Sequence, residues 1–522
     1  MLTKRSIRIA LRFGAAVSLS LALYGCGRSA TSSPGTSQVQ NGTQAQDSDI
    51  VIASVQPGIS PFVSSVQLSG QSVSGVISVA FTIAPMPNSV SSPVNVTWSR
   101  SALSSRGYLQ GNLLNLPVFG LYAGYQNQVA FQITFFDEST QTLSQPIVTT
   151  PYTDPTGVYL NPTILKARAP GSTLGFSFMM LKSLLGSPVI VDTDGQIRWV
   201  VPNVPSGISA TYFANGQFMV GSGSDTSFAL LQFDGTQSAL PAILPQPTLA
   251  SFTHNIDPAP TGVLAEFNGA DDLGVSTGDI VAQIAPFSSQ PPVQIFDLGD
   301  ILTAYMQKNG DDPTAFVRPG YDWFHVNAAA YDPSDNSVII SSRENFLIKL
   351  DYSTHDILWI LGDPTKYWYT FPSLRAKALT LDAGGDYPIG QHGVSITEKG
   401  YVMIFNDGTA SLNQPPGEPA GANRPYSEVT VYSVHAAAMT AHQVWNFDYG
   451  QSIYSAFCGS VYQSPGSSYL VDYADTNNGA AARIVGLDSN HNVAFDFQYS
   501  SPSGCVAAWN AIPIPMENLK IN

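Results

Sequence analysis

From Ile50 to about Pro155, apolar and polar residues alternate in short runs, VISVAFTIA, NVTWSRS and NQVAFQITFFD, each closed by turn residues. Alternation at period two turns one face of each strand towards a core and the other towards water, and runs at this spacing predict a small β-sandwich over residues 50–155. Beyond it, residues 156–522 carry a degenerate repeat of a polar turn followed by an apolar strand: DTDGQIRWV, FDGTQSALP, STGDIVAQI, STHDILWIL, MTAHQVWNF and DSNHNVAFDF. Neighbouring copies stand about 40–50 residues apart, the period of propeller blades, with two wider gaps that hold insertions. Five or six blades fit the length, and a propeller gathers loops from different blades at its central channel. One segment reads as a helix, DILTAYMQKNG, beginning near Asp300 and closing at Gly310. The chain is therefore expected to be all-β, a sandwich followed by a propeller.

Residues 26–49 are rich in Ser, Thr, Gln and Gly without any apolar period, the composition of a flexible tether. Ahead of them, residues 1–25 pattern as a signal peptide. Lys4, Arg5, Arg8 and Arg12 precede an apolar stretch from Phe13 to Tyr24 that is too short to span a bilayer. Leu23-Tyr24-Gly25-Cys26 resembles the bacterial lipoprotein cleavage box, which would make Cys26 a lipidated N-terminus; ordinary secretory cleavage near Ala30 is the alternative. Gly27 after the cysteine, where Asp is absent, favours the outer membrane and a periplasmic, lipid-anchored location. Export leaves Cys458 and Cys505 as a pair in an oxidising compartment, so a disulfide between them is the default, contributing about 4 kcal/mol in the chain-entropy account.

Only 11% of the residues are charged, and the net charge is −15. That argues against a nucleic-acid partner and means that an anionic substrate needs a local cationic pocket. His254, His325, Arg343 and His392, set in polar islands between apolar strands, could build one. Three imidazoles and a guanidinium converging on one spot suit an oxyanion such as a sulfate, with one imidazole free to attack it. The other four histidines, His355, His435, His442 and His491, occupy turn, strand-start or strand-end positions and read as structural. Glu344, beside Arg343, offers a structural clamp for the guanidinium. Three histidines also suit zinc or copper, with Asp257, Asp322 and Asp407 nearby in sequence, and hence a metal-dependent hydrolase. An arginine in the same shell and the lack of a tight HExxH-type spacing weigh against it, so neither a metal nor an organic cofactor is expected. Calcium on the DPSDNS turn would be structural. A different class of answer is a non-enzymatic lipoprotein scaffold or binding protein.

Several of these segments together resemble the bacterial arylsulfate sulfotransferases, PAPS-independent enzymes with an N-terminal β-sandwich and a six-bladed β-propeller. They are LPVFGLYAGYQNQVAFQITFFD, FHVNAAAYD, SSRENFLIKLDYSTHDILWILGDP and GQHGVSI, with the order of all four cationic residues and the spacing from His325 to Arg343. The resemblance covers nearly all of the chain after residue 26. It implies that His392 is the nucleophile carrying a transient sulfo group, and that His254, His325 and Arg343 bind and neutralise the sulfuryl oxygens. Asn327 matches a polar family position. It further implies a phenolic sulfate donor, a phenol acceptor and ping-pong kinetics, and it allows a homodimer through the sandwich. Some relatives carry a cysteine pair shortly before the nucleophilic histidine; this chain has none there. The substrate ring needs an apolar wall, for which Phe252, Trp323 and Phe324, with Tyr321 and Tyr367 to Tyr369, are candidates, although core packing is the commoner fate of such residues.

Overall fold

The computed structural model describes residues 49–202, 208–222, 227–240, 249–270, 276–285 and 291–522. The signal segment, Cys26 and nearly all of the tether lie outside the described residues. Within them the chain is almost entirely β, and the strands follow the alternation of the sequence: Gln126–Phe135 buries every second side chain, Val129, Phe131 and Ile133 among them.

Two sheets are built mainly from the N-terminal part. One is ordered Val51–Pro57, Val63–Ser69, Leu113–Phe119 and Leu109–Gln110. The other runs Val94–Ser99, Val76–Ile83, Gln126–Phe135 and Thr140–Val148, and the last strand of the chain, Leu519–Ile521, adds in parallel at its edge. Val66, Leu116, Phe81, Val96, Trp98 and Phe131 of these sheets share one core. That core does not stop at residue 155. It continues through Phe178, Trp199, Phe218 and Phe233, with the rings of Phe119 and Phe233 stacked at 3.7 Å. Buried Arg198 donates to the carbonyl of Gly120. Each such aromatic is worth about 1.5–3 kcal/mol of burial, so residue 155 marks a change of sheet within continuous packing.

Six further sheets of four or five strands follow. Each takes one copy of the repeat, on Ile197–Trp199, Gln237–Ala239, Ser276–Ile284, Ile357–Leu361, Thr440–Phe447 and Val493–Ser500 in turn. Neighbouring sheets touch chiefly through one strand each. Phe178–Lys182 meets Ile208–Ala214, which meets Leu249–Pro258; contacts then pass to Val326–Asp332, Gln391–Ile396, Ser460–Ser464 and Asn510–Pro513. Asn510–Pro513 pairs back onto Phe178–Lys182, while Thr163–Lys166 completes the sixth sheet.

The expected helix spans Leu298–Lys308, starting two residues early because the Asp297 carboxylate accepts from the backbone N–H of Asp300; Leu298, Leu302 and Met306 form its buried stripe. Two shorter helices, Arg100–Ser105 and Pro372–Arg375, escaped the sequence reading because so few residues show no helical period. On the DPSDNS turn the ammonium of Lys349 lies 2.8 Å from both Asp332 and Asp335, so those carboxylates already face a cation. Cys458 and Cys505 form the expected disulfide, their Cα atoms 6.3 Å apart.

Candidate active site

The three histidines stand at matching places in consecutive sheets. His254 lies within Leu249–Pro258, His325 just ahead of Val326–Asp332, and His392 is the second residue of Gln391–Ile396. Regular pairing breaks at each. Register jumps between Phe252 and Ile256 and again between His392 and Ser395, while His325 adopts a φ of 53°. Such irregularities re-aim a side chain out of the pleat. Arg343 returns beside His325 on a hairpin: Ser342 pairs with Val326, and the N–H of Arg343 donates to the carbonyl of His325 at 3.0 Å.

The rings of His254 and His325 meet edge to face, with centroids 4.9 Å apart. His392 and Arg343 are buried, at 6% and 2% exposure. Both approach the same fully buried carboxyl: Oδ2 of Asp407 lies 3.4 Å from Nη2 of Arg343 and 3.7 Å from Nδ1 of His392. Burial pushes Asp407 well above the usual carboxylate range, with the Arg343 charge pulling the other way.

One hydrogen bond fixes the chemistry of His392. Its Nδ1 lies 3.1 Å from the carbonyl of Gly390. A carbonyl only accepts, so Nδ1 carries the proton and Nε2 keeps its lone pair. Burial first, then the positive charge of Arg343, and then His254 and His325, hold His392 well below the ordinary imidazole range. The ring is therefore neutral and nucleophilic at Nε2. Gly390 makes this possible: its φ is 60°, and a Cβ there would sit 1.7 Å from Oδ1 of Asp407.

Arg343 is gripped on one side and open on the other. Nη1 donates to Oε1 of Glu344 at 2.9 Å, so the clamp read from the sequence exists. Glu344 in turn accepts from the backbone of Leu412 and Asn413, at 2.7 and 2.9 Å. Although burial works against it, Glu344 is held below the usual range, chiefly by Arg343. Nε and Nη2 of Arg343 have no hydrogen-bond acceptor among the described residues. A buried fork whose Nε is free and whose Nη2 has only the ion-pair approach of Asp407 suits a sulfuryl or phosphoryl group.

The two flanking histidines differ. Nδ1 of His325 lies 2.5 Å from Oδ2 of Asp322, an acid–base pair whose carboxylate is held low by His325 despite burial. His254 bonds Thr253 through Nδ1 at 2.8 Å, and burial, reinforced by His325, lowers it to about 3. His254 is thus neutral in the folded protein at neutral pH, whereas in the unfolded chain it protonates near 6.5. Below that value the unfolded state binds the extra proton, so His254 makes stability fall as pH drops from about 6.5 towards 3. Urea midpoints at pH 7 and pH 4.5 check this: the acid loss is expected to shrink in His254→Gln, and an equal loss in both proteins would disprove it.

Sequence reading missed the second layer. Asp407 and Asp322 had been considered only as metal ligands, yet they serve the imidazoles and the guanidinium. The motifs DWFH and FNDG carried that signal, since each sets a carboxyl close to a histidine in sequence or across a hairpin. Asn327 donates to the carbonyl of Gln391 at 2.7 Å and so props the backbone just before His392. The aromatic wall needs correcting. Phe252 is buried against Phe228 and Phe267, and Trp323 and Phe324 are buried against Phe316 and Phe346. Flanking in sequence did not place them at the site, because the chain is irregular there: the register breaks between Phe252 and Ile256, and Trp323 and Phe324 lie in a bend ahead of Val326–Asp332. His355, His442 and His491 bond Gln294, bond Asp382 and stack on Trp445 respectively, in keeping with structural roles.

An all-β scaffold seats a neutral imidazole with its lone pair on Nε2 near a buried guanidinium and two further imidazoles, a donor set of the kind that can hold an oxyanion. Residues 163–507 match the arylsulfotransferase (ASST) family, and the chain belongs to that family. It is 32% identical over 200 residues to the arylsulfate sulfotransferase AssT of Escherichia coli O6:H1 (strain CFT073), an alignment covering 34% of this chain and 31% of that one. It is 27% identical over 151 residues to the AssT of Lelliottia amnigena, covering 26% and 24%. The aligned stretches thus span less than a third of these curated relatives. A solved protein of unknown function from Bacteroides thetaiotaomicron superposes over 89% of this chain and 93% of its own, at 10% identity and a TM-score of 0.33, too distant to bear on fold or function.

Proposed function

We propose that this protein is a PAPS-independent arylsulfate sulfotransferase, moving a sulfo group from a phenolic sulfate ester to a phenol through a sulfohistidine at His392. The observation that carries the reading is the Nδ1 bond of His392 to Gly390, which leaves Nε2 as the nucleophile near Arg343, whose Nε and Nη2 make no hydrogen bond among the described residues. Membership of the arylsulfotransferase family supports it. The six consecutive sheets are the blades of a six-bladed β-propeller, a reading supported by the return of strand contacts to the first sheet and by the crossed end strands.

In the first half-reaction Nε2 attacks sulfur. The N–S bond forms, the S–O bond to the ring breaks, and the phenolate departs with the electron pair. Arg343 and the neutral imidazole of His254 stabilise charge on the sulfuryl oxygens. His325, paired with Asp322, is the proton carrier: it protonates the leaving phenolate and later takes the proton of the incoming phenol, whose oxygen attacks sulfur as the N–S bond breaks. The guanidinium also disfavours the three-histidine metal site, because it would share the shell of a dication.

Export as an outer-membrane lipoprotein through Cys26, and a homodimer through the N-terminal sheets, complete the proposal. Labelled palmitate incorporation lost in Cys26→Ser tests the first, and light scattering of purified protein the second. The central test is incubation with 4-nitrophenyl sulfate, with and without phenol. Nitrophenol release that requires phenol, with a sulfo adduct on the His392 peptide, is expected. Release indifferent to phenol but abolished by a chelator would replace this reading with a metal hydrolase, and no release would favour a scaffold.

A further inference from the structure

The Cys458–Cys505 bridge joins two segments that each bring an aromatic ring to the site. Phe457, next to Cys458, has its ring centroid 5.0 Å from Cζ of Arg343. Trp509, just beyond Cys505, has its ring 6.4 Å from that of His254, and its carbonyl accepts the N–H of Gly459 at 3.1 Å. The bridge and this hydrogen bond therefore lock the two segments together at Cys458 and at the residue after it. Cys458 itself holds a φ of 59°, a left-handed conformation that a non-glycine residue keeps only when its surroundings impose it. On the other flank, Thr409 donates to the carbonyl of Ala456 at 2.8 Å.

Phe457 differs from the aromatics that the sequence suggested. It belongs to none of the hydrophobic clusters and stays 39% exposed although its backbone is fixed on both sides. Leu412, 60% exposed, stands on the neighbouring segment, whose backbone N–H groups donate to Glu344. In an aryl sulfate the ring begins one oxygen away from sulfur. A phenyl ring about this far from the guanidinium is therefore within stacking reach of an ester ring whose sulfuryl group sits on Arg343.

We propose that Phe457 is the residue that selects aryl sulfates, its exposed face stacking on the donor ring, and that the Cys458–Cys505 bridge is the positioning link that holds it over Arg343. This rests on the sulfotransferase reading. The test uses binding in the His392→Ala background, where no turnover intervenes, with 4-nitrophenyl sulfate and inorganic sulfate as separate probes by calorimetry. Adding Phe457→Ala should weaken 4-nitrophenyl sulfate about tenfold, the scale of one lost aromatic pair, and leave inorganic sulfate unchanged; Phe457→Trp should restore the difference. Reduction and alkylation of the bridge, checked by mass and by unchanged circular dichroism, should act in the same direction as Phe457→Ala. Equal loss for both probes, or no loss for either, overturns the role of Phe457, and an unchanged affinity after reduction overturns that of the bridge. If neither probe binds the parent protein and the unmutated chain releases no nitrophenol, the sulfotransferase reading fails and takes this one with it.

Discussion

Replacing His392 with alanine is expected to lower phenol-dependent turnover of 4-nitrophenyl sulfate by about a thousandfold or more, the scale on which loss of a covalent nucleophile acts. The variant should keep its β-sheet circular dichroism, because the imidazole makes one hydrogen bond among the described residues, to Gly390, worth about 1 kcal/mol. The sulfo adduct should vanish with the activity. Turnover within tenfold of the parent would remove His392 from the covalent route, and it would do so without disturbing the assignment of the family.

Arg343→Lys should cost about a hundred- to a thousandfold in kcat, the range seen when one preorganised donor to a developing anion is lost. Lysine keeps the charge but not the fork, and a single ammonium cannot reach Glu344, Asp407 and a sulfuryl group together. Arg343→Met should in addition destabilise the fold by about 3–5 kcal/mol, because Glu344, 1% exposed, loses its counter-ion while remaining buried. Urea unfolding separates the two effects: Arg343→Lys should unfold near the parent midpoint and Arg343→Met well below it. Full activity in Arg343→Lys would show that charge alone suffices and that the forked geometry has no part in the reaction.

Much of the framework was legible along the chain because it is written in local periods. Alternation at period two marked the strands of the first 155 residues, and the recurring turn-plus-strand units fell one to each of the six later sheets. The three histidines and Arg343 stood out for a similar reason: the chain has seven histidines and only 11% charged residues, so such side chains set between apolar strands are rarely casual. The hairpin from His325 to Arg343 followed from the turn between two strands. The cysteine pair followed from counting. Helix ends did not, since Asp297 caps two residues ahead of the apolar stripe.

What the sequence by itself determined, then, is an all-β chain with a repeated unit, a disulfide and a set of three histidines and one arginine. Only the tertiary structure decided which nitrogen of His392 is free, that Asp322 and Asp407 serve the imidazoles, and that Phe457 lies against Arg343 while Phe252, Trp323 and Phe324 pack in the core. The physical reason is that secondary structure answers to neighbours a few residues away. A tautomer, a buried charge and an exposed ring answer to whichever distant segment is packed against them, and that is settled only when the sheets close on one another.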